Sequence, residues 1–345
     1  METTQISNTY NVTSNSDSYT DLYMENSSFD IRNAYIIIGV IGMMGNFFFV
    51  AVMFSSKQLR SKLSNIFIIN QACIDLVTAV FLASLAKVGQ DVSGEHVGYQ
   101  LLCRVILTKL PLWGLLHSST NNLIAVTIER YLAIIHPVYH RVSFTTEKAW
   151  ITITIIWMSG LLFTSAYILP TTYVENNFCF SVQRFPNIES RKTLGTFIFL
   201  LRFFIPLLIL VYCYSKIVIV LNQKAIAVEH DADTVQPTIQ GNVDRKDNLR
   251  STARRNTIKT LILVSVCFVL CWVCNQVYFF MINFGYPANF NGYFYHFSVN
   301  AVFLNCCINP AVYAIKFKDF QNQVRKVFWR RATVAPEAST VHTIT

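Results

Sequence analysis

The sequence predicts an all-α membrane protein: a bundle of seven transmembrane helices followed by an amphipathic surface helix. Three observations carry this. The 345-residue chain is 53% hydrophobic and only 14% charged, against about 25% charged in an ordinary soluble domain. The charge is missing from blocks of about 20 residues, the length a helix needs to cross a bilayer. The basic residues behind the net charge of +9 sit beside those blocks. That placement suits the inner surface of a membrane, not a nucleic-acid-binding face.

Residues 1–32 lack the basic start and short apolar core of a cleavable signal. They hold five acids and one base and two N-x-S/T sequons, at Asn11 and Asn26. A polar, acidic, glycosylated and disordered extracellular leader is expected. Seven apolar blocks follow, at about 33–55, 65–87, 101–135, 148–170, 194–221, 256–283 and 292–316. The blocks are too long for barrel strands and must satisfy their backbone groups internally, so they are helices.

Lys57, Arg60 and Lys62 in the first loop, Arg141 and Lys148 in the second, and Arg250, Arg254, Arg255 and Lys259 before the sixth block all fall on one side. The basic residues after the seventh block join them. The N-terminus is therefore expected outside and the C-terminus in the cytoplasm, with the protein in the plasma membrane. Residues 222–252 are expected as a flexible cytoplasmic loop. In residues 317–330, Phe317, Phe320, Val324, Val327 and Phe328 share one face opposite Lys and Arg, as in a helix lying on a membrane surface; a disordered basic tail is the alternative. Residues 331–345 form a short cytoplasmic tail with Thr333, Ser339, Thr340, Thr343 and Thr345.

The motifs narrow the class. The third block ends in "TIERYLAIIHP", with Glu129, Arg130 and Tyr131, and the seventh in "NPAVY", Asn309 and Pro310 to Tyr313. Block one has Gly45-Asn46, block two has Asp75 and block four has Trp157. Block five holds Pro206 and Tyr214, and block six Phe268, Cys271 and Trp272. In order and on their respective helices, these residues resemble the rhodopsin-like (class A) G protein-coupled receptors across residues 33–328. The general look is similar to neuropeptide receptors of the galanin, allatostatin and somatostatin type.

The resemblance implies a non-enzymatic cell-surface receptor. An extracellular ligand, a neuropeptide above all, opens its cytoplasmic face to a heterotrimeric G protein; arrestin and a receptor kinase are the further partners implied. A charge pair inside a membrane is costly and marks function. In the family the acid corresponding to Glu129 restrains the arginine corresponding to Arg130, and the freed arginine meets the G protein, along with Val138–Tyr139 and Arg254 to Lys259 here. A plain interfacial ion pair is the alternative. Tyr214 and Tyr313 match tyrosines that turn inward on activation, and Phe268, Trp272 and Pro206 match the activation toggle. Asp75 with Ser119, Asn305 and Asn309 matches the positions that join around a sodium ion, the one possible cofactor. The other reading is a protonated Asp75 bonded to neighbouring helices.

Cys103 and Cys179 match the family's extracellular disulfide. Cys103 precedes Arg130 by 27 residues where 25 is usual, and Pro111 offers a place for a bulge to absorb the difference. Cys271 and Cys274 have C-x-x-C spacing, but an apolar surround keeps thiols neutral and unreactive, and no second pair or histidines complete a zinc set. Cys274 also stands where the family usually has proline, so the sixth helix is either straighter or bent elsewhere.

The third block has no aspartate in its outer half, unlike amine receptors. The seventh has no lysine before Lys316, unlike opsins. Lys109 and Arg202 are the basic residues in the expected pocket, with Trp113, Gln276, Phe279, His296 and Phe303 to line the rest. Arg202 either meets an anionic group on the ligand, or pairs with a neighbouring helix or snorkels outward. Rival readings are a receptor for a small anionic or lipid ligand, a non-signalling decoy, and a transporter; the sequence has no internal repeat of the kind transporters show.

Overall fold

The computed structural model describes residues 18–86, 88, 97–175, 178–181, 184–234, 241–287, 289 and 292–332. Among these residues seven helical stretches are long and apolar enough to cross a membrane: Asn33–Phe54, Leu63–Leu85, Gly98–Ile135, Thr146–Thr171, Ile188–Gln223, Asn256–Asn283 and Tyr293–Lys316. They are called spans one to seven below. Span one packs on two and seven, span three on two, four and five, and span six on seven. One continuous apolar core runs through them. On span four, Ile151, Ile155, Met158 and Leu162 point outward at helical spacing, the apolar stripe that a bilayer-facing helix presents.

The helices in chain order are α1 (Ser18–Phe54), α2 (Lys57–Arg60), α3 (Leu63–Leu85), α4 (Val97–Leu101), α5 (Leu110–Ile135), α6 (Pro137–Ser143) and α7 (Thr146–Thr171). A two-stranded antiparallel hairpin, β1 (Tyr173–Glu175) and β2 (Phe178–Phe180), follows. The chain continues with α8 (Ile188–Phe199), α9 (Ile205–Thr234), α10 (Gly241–Asn283), α11 (Tyr293–Lys316) and α12 (Lys318–Ala332). Cys103 is bonded to Cys179 of β2, tying the hairpin to the start of span three.

Two segments differ from the sequence expectation. Helix α1 begins at Ser18, so residues 18–32, expected to be disordered, are helical and carry Asn26; Asn11 lies outside the described residues. Likewise α9 runs to Thr234 and α10 starts at Gly241, so most of the expected 222–252 loop is helix. Both are extensions of a span. Nucleation is the costly part of a helix, and each residue added to an existing one gains a hydrogen bond for one residue fixed. The tail beyond Ala332 lies outside the described residues.

Span three is interrupted where the two extra residues had to go. Leu102–Leu107 forms a wider π-helical turn, Lys109 adopts left-handed backbone (φ 55°, ψ 37°), and α5 restarts at Leu110 with Pro111 in its first turn. Proline suits that position because its missing N–H has no partner there anyway. Span five has a second π-helical turn, Leu200–Phe204, just before Pro206. Pro206 cannot donate to the carbonyl of Arg202, and its ring crowds that oxygen. The wider turn relieves the crowding. Span six, by contrast, runs as one unbroken helix through Cys274.

Helix α12 uses its apolar face partly on the bundle. Phe317 and Phe320 are buried, and Phe320 stacks on Phe49 of span one at 4.9 Å. Lys62 pairs with Asp319 at 2.8 Å, and the Gln321 amide donates to the last carbonyls of α11, Ala314 and Ile315. Phe328 remains exposed.

Spans three and four touch through glycine. A Cβ on Gly160 would overlap the Ser118 hydroxyl and stand 2.5 Å from the Gly114 carbonyl oxygen. Gly160→Ala is therefore expected to destabilise the purified protein by about 1–3 kcal/mol, the usual cost of overpacking. Gly98→Ala, with nothing within 4 Å of its Cβ, should leave the melting temperature unchanged. Equal midpoints for the two variants would disprove the close approach.

Candidate functional site

Three polar clusters interrupt the apolar interior, one near each end of the bundle and one between them.

At the end opposite the disulfide, Glu129 and Arg130 close span three. Glu129 is buried, and its Oε2 lies 3.3 Å from Arg130 Nε. Its Oε1 meets His140 Nε2 of α6 at 3.0 Å and the Ser64 hydroxyl of span two at 3.4 Å. The acid is thus shared by three elements. A carboxylate this buried is stabilised by such partners. One turn above, the hydroxyls of Thr127 and Tyr214 meet at 3.1 Å, joining spans three and five. Tyr131 rests against Tyr212. Tyr313 is buried against Phe49. Beyond the pair, Val138 and Tyr139 of α6 are exposed, at 78% and 58%.

In the middle, Asp75 is fully enclosed. Its Oδ1 accepts from Ser119 Oγ at 3.1 Å and its Oδ2 from Asn309 Nδ2 at 2.6 Å. Gln71 Nε2, one helical turn before Asp75, lies 3.2 Å from both oxygens. Gln71 Oε1 in turn accepts from Asn122 Nδ2 at 2.8 Å, Asn122 Oδ1 from Asn70 Nδ2 at 2.8 Å, and Asn70 Oδ1 from the Trp157 indole N–H at 3.0 Å. A continuous relay therefore crosses from span four to span seven. Of the residues matched to a sodium site, Ser119 and Asn309 hydrogen-bond directly to Asp75. Asn305 is buried in span seven and forms no hydrogen bond to Asp75. The carboxylate is met by N–H and O–H donors from spans two, three and seven.

Towards the disulfide end, the π-helical turn in span five directs Arg202 inward, where it is 5% exposed. Its guanidinium lies 5.4 Å from the rings of both Trp113 and Trp272. Nη1 donates to Tyr167 OH at 3.1 Å and Nη2 to the Trp113 carbonyl at 3.3 Å, while Nε is buried without a hydrogen-bond partner. Among the described residues no carboxylate pairs with it. Trp272 is buried against Phe268, and Phe303 against Trp113 and Tyr35. Lys109 does not join Arg202; its ammonium lies over the Tyr35 ring at 5.1 Å. Gln276 is buried, Phe279 stands near Tyr295, and His296 is half-buried beside Tyr295.

Sequence reasoning passed over Asn70, Gln71, Asn122, His117, His140 and Tyr167. Polar side chains in the middle of an apolar span were the available signal. His117 is buried and stacks on Phe163 at 4.6 Å, close to the Arg202 cluster.

The architecture is that of a seven-helix membrane-spanning bundle with polar clusters in its interior. The family model for the seven-transmembrane receptors of the rhodopsin family matches residues 45–313, and the chain belongs to this family: it is a multi-pass, class A G protein-coupled receptor and not an enzyme. It is 28% identical to galanin receptor 2a of Danio rerio over 298 residues, covering 85% of this chain and 76% of that one. It is 31% identical to prokineticin receptor 2 of Homo sapiens over 257 residues, 69% of this chain and 62% of that one. The fold matches squid rhodopsin with a TM-score of 0.68 at 20% identity, over 90% of this chain and 88% of that one.

The relay should be cooperative in stability. Asn122→Leu strands the Gln71 oxygen and the Asn70 amide together, while the Phe67 carbonyl keeps its helical partner. At about 1–3 kcal/mol for each buried orphan, it should lower stability by roughly 2 kcal/mol or more. Trp157→Phe removes one bond at the relay's end and should cost about 1 kcal/mol. Thermal unfolding of the purified variants checks the ranking, and a reversed order would break the relay.

Proposed function

We propose that this protein is a plasma-membrane receptor for an extracellular peptide and that it activates a heterotrimeric G protein. The observation that carries the transducing half is the enclosure of Glu129. Arg130, the residue whose family counterpart meets the G protein, lies against a buried acid that is also held from α6 and span two. Exposed Val138 and Tyr139 beside this pair, with Lys259 on span six, supply a contact surface. The basic residues of α2 and α12 lie at the same end, which favours placing it in the cytoplasm and the disulfide end outside. An arrestin and a receptor kinase would act on the same face, with α12 against the bilayer.

The peptide reading rests on the resemblance to galanin and prokineticin receptors, and the outer cluster refines it. A buried guanidinium with no carboxylate partner, pressed against Trp272, favours a ligand that brings an anionic group, such as a carboxylate, to Arg202. Binding there would act directly on the toggle tryptophan and shift the population towards an open inner face. Gln276, Phe279, His296 and Phe303 would line the remaining wall. A small anionic ligand fits the same observation and is the second reading.

Two experiments test this. In cells, Glu129→Gln should raise ligand-independent G protein activation several-fold, because a neutral side chain no longer pairs with Arg130, while Arg130→Ala should abolish activation. Unchanged basal signalling in Glu129→Gln with normal surface expression would remove the restraint.

For the ligand, tissue-extract fractions that activate the receptor should lose activity on protease treatment. Arg202→Ala should lower the potency of active fractions by roughly tenfold or more, the scale of one lost charged hydrogen bond. A protease-resistant response selects the small anionic ligand. Normal potency in Arg202→Ala makes Arg202 a structural tie between spans.

A further inference from the structure

The direction of each amide between Trp157 and Asp75 can be deduced. Asparagine and glutamine side chains are nearly symmetric in shape, so what their neighbours donate or accept decides which way they face. The Trp157 indole only donates, so Asn70 turns its oxygen to it and its NH2 to Asn122. The Phe67 carbonyl only accepts, so Asn122 gives its NH2 to Phe67 at 3.0 Å and to the Gln71 oxygen at 2.8 Å. Gln71 is then left with its NH2 facing Asp75. One hydrogen is shared between the two carboxylate oxygens and the other reaches Ser119 Oγ at 2.5 Å. Ser119, having accepted that bond, donates its own proton on to Asp75 Oδ1.

The three groups that meet the carboxylate, the Gln71 and Asn309 amides and the Ser119 hydroxyl, therefore all turn hydrogens to it. A cation beside Asp75 would meet the hydrogens of Gln71 and would have to displace donors from both oxygens. Turning Gln71 round to offer its oxygen would set its NH2 against the NH2 of Asn122. Asn122 cannot follow, because Phe67 and Asn70 hold it at both ends. Among the described residues the buried amide oxygens without a donor are those of Asn46, Asn300 and Asn309, and none of them belongs to Gln71, Asn122 or Asn70.

We propose that the Gln71 amide takes the place beside Asp75 that the family resemblance assigns to sodium, so that Asp75 is compensated from within the protein and the receptor is indifferent to sodium. The amide is an intramolecular substitute for the ion, held one turn away on the same helix and braced through Asn122, Asn70 and Trp157.

The test is the unfolding midpoint of the purified full-length receptor across a NaCl series, with KCl substituted to hold ionic strength constant. An ion that binds only the folded state raises that midpoint by mass action. Wild type is expected to show no sodium-specific shift. Gln71→Leu, which removes the amide and exposes the carboxylate, should gain an upward shift in NaCl over KCl, and Gln71→Leu combined with Asp75→Asn should lose it again. A sodium-specific shift in wild type that Asp75→Asn abolishes would overturn the proposal. So would a folded Gln71→Leu receptor as indifferent to sodium as wild type. The wild-type arm decides even if the variants do not fold.

Discussion

A carboxylate in the middle of seven apolar helices must find its hydrogen-bond donors inside the protein, and the bundle interior is built around that need. Asp75 takes donors from spans two, three and seven. The relay behind Gln71 extends the same connection to span four. Packing between apolar helices in lipid has little directional preference, because lipid tails compete equally well for the same surfaces. Hydrogen bonds between named side chains are directional, and they set the mutual rotation of the spans.

The inner pair follows the same rule under looser enclosure. Glu129 is buried but lies at the helix mouth, and its three partners come from three different elements. Such an acid can be satisfied in one arrangement and released in another, as a two-state element requires. The Asp75 relay, closed on every side, is better suited to holding a frame.

The outer cluster depends on backbone irregularity. A regular α-helix through Leu200–Phe204 would rotate Arg202 relative to Trp113 and Trp272, and the wider turn ahead of Pro206 is what brings all three together. In span three, the turn at Leu102–Leu107 and left-handed Lys109 keep Cys103 in reach of Cys179 despite the longer spacing to Arg130. That bond holds the hairpin between spans four and five against span three. Span six reaches Trp272 without any break, so the two irregular helices shape this end while the sixth stays regular.

Hydropathy and block length determined the seven spans, because crossing a bilayer imposes a length and a composition that are visible residue by residue. The Glu129-Arg130, NPAVY and Trp272 motifs were legible for a related reason: each is local and lies on a span whose register is set by neighbours a few residues away. The pairing of Cys103 with Cys179 was legible through resemblance alone. Helix propagation beyond the membrane, at Ser18–Arg32 and on either side of residues 235–240, was not, since polar composition reads as loop whether or not an anchored helix extends into it. What only the tertiary structure decided is which polar groups meet. Gln71, Asn70 and Asn122 are unremarkable amides in the sequence, and Asn305 looked as good a partner for Asp75 as Asn309. Their roles follow from the rotation and depth of helices distant along the chain, and hydrogen bonds across that distance leave no pattern in the order of residues.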